Sequence, residues 1–186
     1  MHMLATFSTL RFSRAGLLAG LLSLSLLGAC GGNDDEDGSS AYDGTVTWTH
    51  NGQSYTSKAY ASAIVDSPTK FIITAAPDGN NTQTVSLVIY NLDTRGAANY
   101  DLARGSSLSD LPIGALTLSG GSGPNGIYST LYGPAASNGT LSVTQYDKAA
   151  QKISGTFSFT AGPTANTGAV GTQTVSNGSF SFTKFR

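Results

Sequence analysis

Val46 and Trp48 alternate with Thr45, Thr47 and Thr49, and Asn51-Gly52 follows directly after His50. A period of two sends successive side chains to opposite faces of a strand. Asn-Gly supplies the two positive-φ residues that a type I′ turn requires. Together they predict a hairpin in which His50 faces Gln53 and Trp48 faces Tyr55. The alternation recurs along the chain. Val85, Leu87 and Ile89 alternate with Thr84, Ser86 and Val88, and Ile153, Gly155, Phe157 and Phe159 with Ser154, Thr156, Ser158 and Thr160. Asn177-Gly178 predicts a second two-residue hairpin, with Val175 opposite Phe180. Asn138-Gly139 predicts a turn between strands over 127–132 and 140–146. No window after Gly44 carries a helical period. The chain is thereby confined to an all-β fold, an antiparallel, meander-rich sandwich or barrel of about nine or ten strands.

The connecting stretches fit that reading. Ala59, Ala61, Ala63 and Val65 share one face of a strand that Pro68 ends, with Tyr60 and Ile64 on the other. Phe71-Ile72-Ile73 is apolar on both faces, as a central strand requires. Pro77 to Asn81 is turn chemistry throughout. Asn91 to Asn99 reads as a polar loop holding Asp93 and Arg95, Tyr100 and Leu102 as a short strand, and Arg104 to Asp110 as irregular. Ala115 to Ser119 reads as a strand and Ala161 to Gly171 as a loop. The glycine-rich Gly120 to Gly126 lacks the Lys-Ser/Thr ending of a phosphate-binding loop.

Ahead of the β-region, Arg11 and Arg14 precede an apolar run from Ala15 to Leu27, which is too short to span a bilayer as a helix. Small residues then lead into Cys30, the one cysteine of the chain. This order is that of a secretory signal, and Leu27-Gly28-Ala29-Cys30 resembles a bacterial lipobox, cleaved before a cysteine that is then lipidated. Gly31 to Ser40 follows, with Asp34, Asp35, Glu36 and Asp37 in one run and nothing apolar, the composition of a flexible, self-repelling tether. The predicted organisation is a signal peptide over 1–29, a lipidated cysteine and acidic tether over 30–41, and one all-β domain over 42–186. An acidic run just after the lipidated cysteine resembles the surface-export signal of Bacteroidota-type lipoproteins. The expected location is therefore the outer membrane, lipid-anchored and surface-exposed, with a periplasm-facing orientation as the alternative.

The segments Leu141 to Thr144, Gly155 to Phe159 and Asn177 to Phe180 resemble a family of uncharacterised, mostly Bacteroidota-type lipoproteins that share a GTFSF segment and an NGxF ending. Trp48 to Gly52 and Gly96 to Leu102 are similar to the same family. The resemblance implies lipoprotein status and a β-rich fold, with no activity or site residues attached.

Charge and residue inventory narrow the chemistry. A net charge of −1 with 11% charged residues gives no basic footprint for nucleic acid. His50 is the one histidine beyond the signal segment, and its place beside a turn predicts solvent exposure. A Ser-His-Asp triad would have to use it, and no Gly-x-Ser-x-Gly elbow is present. The same inventory cannot supply the usual zinc ligands. Asp78, Asn80 and Thr82 have the spacing of a calcium loop without the later bidentate Glu, so a plain turn is expected. The β-region has seven Asp and no Glu, most at turns, where Asp serves local geometry. The sequence thus points to no enzyme, no metal and no cofactor, with a hydrolase using His50 or an Asp pair as the weaker alternative. The expected role is a binding or structural module for a glycan or an envelope protein, held to the membrane through Cys30, or a subunit of a larger envelope assembly. Trp48, Tyr55 and Tyr60 are the candidate ligand-stacking residues, with core packing as the competing role for Trp48 and Tyr55.

Overall fold

The computed structural model describes residues 43–79, 82–106, 110–120 and 125–186. Cys30, the signal segment and the acidic tether lie outside the described residues. So do Asn80 and Asn81 of the predicted turn, residues 107–109, and residues 121–124 of the glycine-rich loop.

Eleven strands form one antiparallel, nearly barrel-shaped sheet with two faces folded toward each other. They are β1 (Gly44–His50), β2 (Gln53–Ser57), β3 (Ala61–Ser67), β4 (Lys70–Ala75), β5 (Gln83–Tyr90), β6 (Asn99–Ala103), β7 (Ile113–Leu118), β8 (Gly126–Ser129), β9 (Ser137–Asp147), β10 (Lys152–Pro163) and β11 (Gln173–Phe182). One side runs β2-β1-β11-β10-β9-β6 and the other β3-β4-β5-β7-β8. The long strand β10 belongs to both. Its first part pairs with β9, and Gly162 and Pro163 pair with Ser129 and Tyr128 of β8. Gly162 sits at that switch because a β-carbon there would collide with the Tyr132 carbonyl.

Sequential strands pair as the short connections predict, in β1-β2, β3-β4-β5, β7-β8 and β9-β10-β11. The period of two then fills the interior. Val46, Trp48, Phe157, Phe159, Val175, Phe180 and Phe182 face inward from one side, and Phe71, Ile73, Val85, Leu87, Ile89 and Leu116 from the other. Each such side chain contributes roughly 1.5–3 kcal/mol on full burial. Trp48 donates its Nε1–H to Gln83 Oε1 at 3.4 Å, so the indole is buried with its polar atom paired.

The outward positions of β1, most of those of β11 and those of the central part of β10 are serine or threonine. One row crosses the strands as Thr56, Thr47, Ser179, Thr156 and Ser142. The Thr47 and Ser179 hydroxyls hydrogen-bond at 2.7 Å, and those of Thr160 and Thr174 at 3.2 Å. Cross-strand hydroxyl pairs of this kind supply polarity and a few tenths of a kcal/mol each without charge.

The chain closes on itself at β3. The backbone of Arg186 donates to Ala63 O and accepts from Val65 N, covering the edge of β3 away from β4. Phe185 inserts behind it, edge-on to Phe71 at 5.1 Å and stacked on Tyr146 at 5.9 Å.

The Asn51-Gly52 hairpin has the predicted register, with φ of 51° and 76° at the two turn residues. The Asn-Gly pairs at 138–139 and 177–178, from which turns are expected, are not turns. Asn177-Gly178 lies inside β11, where Thr47 and Thr49 of β1 face Ser179 and Ser176, one residue further apart. The pair forms a β-bulge, which needs a positive φ at Asn177 (50°) as much as a hairpin would. Val175 consequently pairs with His50 and Phe159, and Phe180 with Val46 and Gly155. Asn138-Gly139 lies at the start of β9. The Asn138 side chain donates to Thr130 O and Ala135 O and accepts from Ala135 N, each at 2.9 Å, pinning a loop that would otherwise bury bare backbone groups.

Smaller corrections follow the same logic. The strand expected over 127–132 ends at Ser129, whose hydroxyl accepts from Leu131 N to cap a 3₁₀ turn over Thr130–Tyr132. Within the expected loop from Asn91 to Asn99, Leu92–Arg95 forms a single helical turn, α1, that buries Leu92 and is too short to show a period. The expected loop after Ala161 begins after Pro163 because β10 continues to meet β8.

Candidate functional site

The sequence-predicted aromatics separate by strand parity. Trp48 is 1% exposed, so its ring is closed to any ligand and serves the core; the stacking role read for it is corrected accordingly. Tyr55 is half-buried and stacked on Trp48 at 5.6 Å between centroids, an inner layer of the same packing. Tyr60 is 54% exposed and stands apart from both. The structure thus brings Trp48 and Tyr55 together and leaves Tyr60 to a different site. Tyr100 and Tyr128 are buried, with hydroxyls donating to Gly96 O and Val170 O.

Tyr60 borders a surface groove of about 470 Å³, within the size range of small-ligand sites. The small residues Ala59, Ala61 and Ala63 are among those that line it. Lys58, Lys184 and Arg186 line it as well. Two walls are held rigidly. The Asp78 carboxylate accepts from Lys58 N and Ala59 N, both at 3.0 Å, while Asp78 N donates to Thr56 O and Ala76 N to Tyr60 O. The corner that carries Tyr60 is therefore tied at every residue from Lys58 to Tyr60. On the opposite wall, Arg186 is fixed by its backbone bonds to β3 and by an ion pair with Asp43 at 2.6 Å. Asp78, read from its spacing as a turn residue, has this tie as its structural task.

A second polar cluster lies at α1. Tyr146 donates to Asp93 Oδ1 and Lys148 to Asp93 Oδ2, each at 2.5 Å. The Lys148 ammonium, then the Tyr146 hydroxyl, hold the Asp93 carboxyl below the usual carboxylate range. A depressed folded value means that this pair stabilises the fold above about pH 4 and loses its effect as pH falls further. Burial, then the hydrogen bond to Asp93, pushes the Tyr146 phenol up. Arg95 lies over the Tyr100 ring at 4.2 Å. Tyr146, Asp93 and Lys148 satisfy one another.

His50 is 5% exposed, not at the surface as its turn-side position suggested. Its Nε2 bonds Gln173 Oε1 at 2.9 Å. The parity of β1, with Val46 and Trp48 inward, carried that information. Lys58, Lys184 and Arg186 had no signal in the sequence, because strand pairing alone brings the chain end to the β2–β3 corner.

A family model described as "Domain of unknown function (DUF6252)" matches residues 43–183. The chain belongs to the DUF6252 family. The match begins at Asp43, beside the groove, and ends one residue after β11, so the DUF6252 domain and the near-barrel coincide. No curated protein and no solved structure matches the chain.

Proposed function

We propose that this DUF6252 protein is a lipoprotein, anchored through Cys30 to the outer membrane and facing outward, whose β-domain binds a glycan in the groove beside Tyr60. The anchor rests on Leu27-Gly28-Ala29-Cys30 behind a short apolar run. Several acyl chains at ~0.8 kcal/mol per buried CH₂ make such attachment effectively permanent. The binding role rests on one observation: Tyr60 presents an open ring over a preformed groove, the place where a sugar ring can stack on an aromatic face. A binding role is favoured over hydrolysis because six of the seven Asp of the β-region have structural partners: Asp43 pairs with Arg186, Asp66 with Lys70 and Asp93 with Lys148, Asp78 and Asp147 accept from backbone N–H groups, and Asp101 accepts from Ser137.

The anchor is tested by Cys30→Ser. The variant is expected to leave the membrane fraction and lose label from a radioactive fatty acid; retention of both refutes it. The binding role is tested on a broad glycan array with the detergent-solubilised mature protein. Wild type is expected to capture a defined subset, and Tyr60→Ala to lose it. A blank array sinks the glycan reading and leaves the envelope-assembly subunit as the alternative.

A further inference from the structure

The charge around Tyr60 narrows the ligand. The chain is sparing with charge, at 11% of residues, yet Lys58, Lys184 and Arg186 all line this groove. The Asp43 carboxylate that also lines it is paired with Arg186. Asp78 is turned onto the backbone of Lys58 and Ala59. Lys58 and Lys184 enter none of the ion pairs found among the described residues. Two lysines outside those ion pairs therefore line the groove beside one exposed ring. On β1, β11 and β10 the outer face gains its polarity from a row of serines and threonines and not from charge.

We propose that the groove takes an acidic saccharide, with a sugar ring on the Tyr60 face and its carboxylate between Lys58 and Lys184. This deepens the glycan reading of the same groove and rests on it. An ammonium is a compact point charge on a flexible stem, able to meet a carboxylate from a range of directions, and hydrogen bonds to ionised groups are about twice as strong as neutral ones. The rigid elements complement this. The Asp78 ties fix the backbone from which Lys58 and Tyr60 project. The bonds of Arg186 to Ala63 and Val65 fix the segment next to Lys184. Only the lysine side chains then lose freedom on binding, which keeps the ordering cost low.

The test uses the mature protein in detergent and isothermal titration with two probes of equal length, an oligogalacturonate and a neutral galactose oligomer. The acidic oligomer is expected to bind at least about tenfold more tightly, and the advantage to shrink as salt screens the charges. Lys58→Gln and Lys184→Gln are each expected to weaken the acidic oligomer about fivefold to tenfold, without changing the neutral one, and Lys58→Arg to retain most of the binding. Both lysines are exposed, so an unchanged melting temperature verifies that the variants are folded. Equal binding of the two oligomers, or acidic binding indifferent to both lysine variants, overturns the acidic assignment and leaves the glycan groove standing. Binding of neither oligomer by a protein that captures other glycans on the array also overturns it, whereas a blank array removes the groove's glycan role altogether.

Discussion

Trp48→Ala is expected to lower the melting temperature by about 10–20 °C, the equivalent of about 3–5 kcal/mol for truncating a large core aromatic, while Tyr60→Ala leaves it within about 2 °C. The two residues have the same standing as aromatic candidates in the sequence, and parity separates them. Trp48 fills the interior between the two sides of the sheet, touches Tyr55 through a stacked pair and keeps its N–H on the buried Gln83. Removing it leaves a cavity that β-strands on both sides cannot collapse into, and strands Gln83 without that donor. Tyr60 projects from a corner whose backbone is tied independently of its ring. Thermal unfolding followed by circular dichroism measures both. A loss of similar size for Tyr60→Ala would mean that its ring is a structural element and would remove the ground for placing a ligand on it.

Asn138→Ala is expected to cost about 2–4 kcal/mol, because two carbonyls and one N–H at the Thr130–Ala135 loop lose their partner in a site too buried for water to replace it freely. Asn138→Asp is expected to cost more than alanine at neutral pH. A carboxylate can still accept from Ala135 N, but its second oxygen then faces the carbonyls of Thr130 and Ala135, to which Asn138 donates. The introduced acid would titrate above the usual carboxylate range in the folded state. Its folded form therefore gains relative to the unfolded chain as pH falls, and the deficit of N138D against N138A should narrow in acid. Urea unfolding at two pH values, with unchanged m, reads both effects. A midpoint for Asn138→Ala within error of wild type would show that the loop does not depend on this side chain.

Asn138 also shows where local sequence stops being sufficient. Asn51-Gly52, Asn138-Gly139 and Asn177-Gly178 carry the same two-residue signal, and of these only Asn51-Gly52 turns the chain. The residue type reports that a positive φ is needed and says nothing of whether the need is a hairpin, a bulge or a loop support. What decides is the partner strand: β11 is held along both edges by β1 and β10, so Asn177-Gly178 has no freedom to fold back. Alternation, by contrast, depends only on which face is wet, and it identified Val46, Trp48, Leu87, Phe157 and Phe159 as one set of residues with a common fate. His50 shares the parity of Val46 and Trp48, yet its turn-side position pointed to the surface, and the structure buries it. The groove was legible in one residue, Tyr60. Lys58 and Lys184 reach it from distant parts of the chain, through the pairing of β1 with β11 and of Arg186 with β3.

That pairing of first strand with last has a consequence in time. Thr47 and Ser179 are separated by 132 positions and Asp43 and Arg186 by 143. As the chain emerges from its N-terminal end, β1 and β2 form a lone two-stranded ribbon, which is marginal in water. The contacts that fasten it are at the far terminus. Closing so long a loop before any of its contacts form makes folding slow and all-or-none. Phe185 and Arg186, the last residues of the sequence, supply the contacts that fasten the edge of β3.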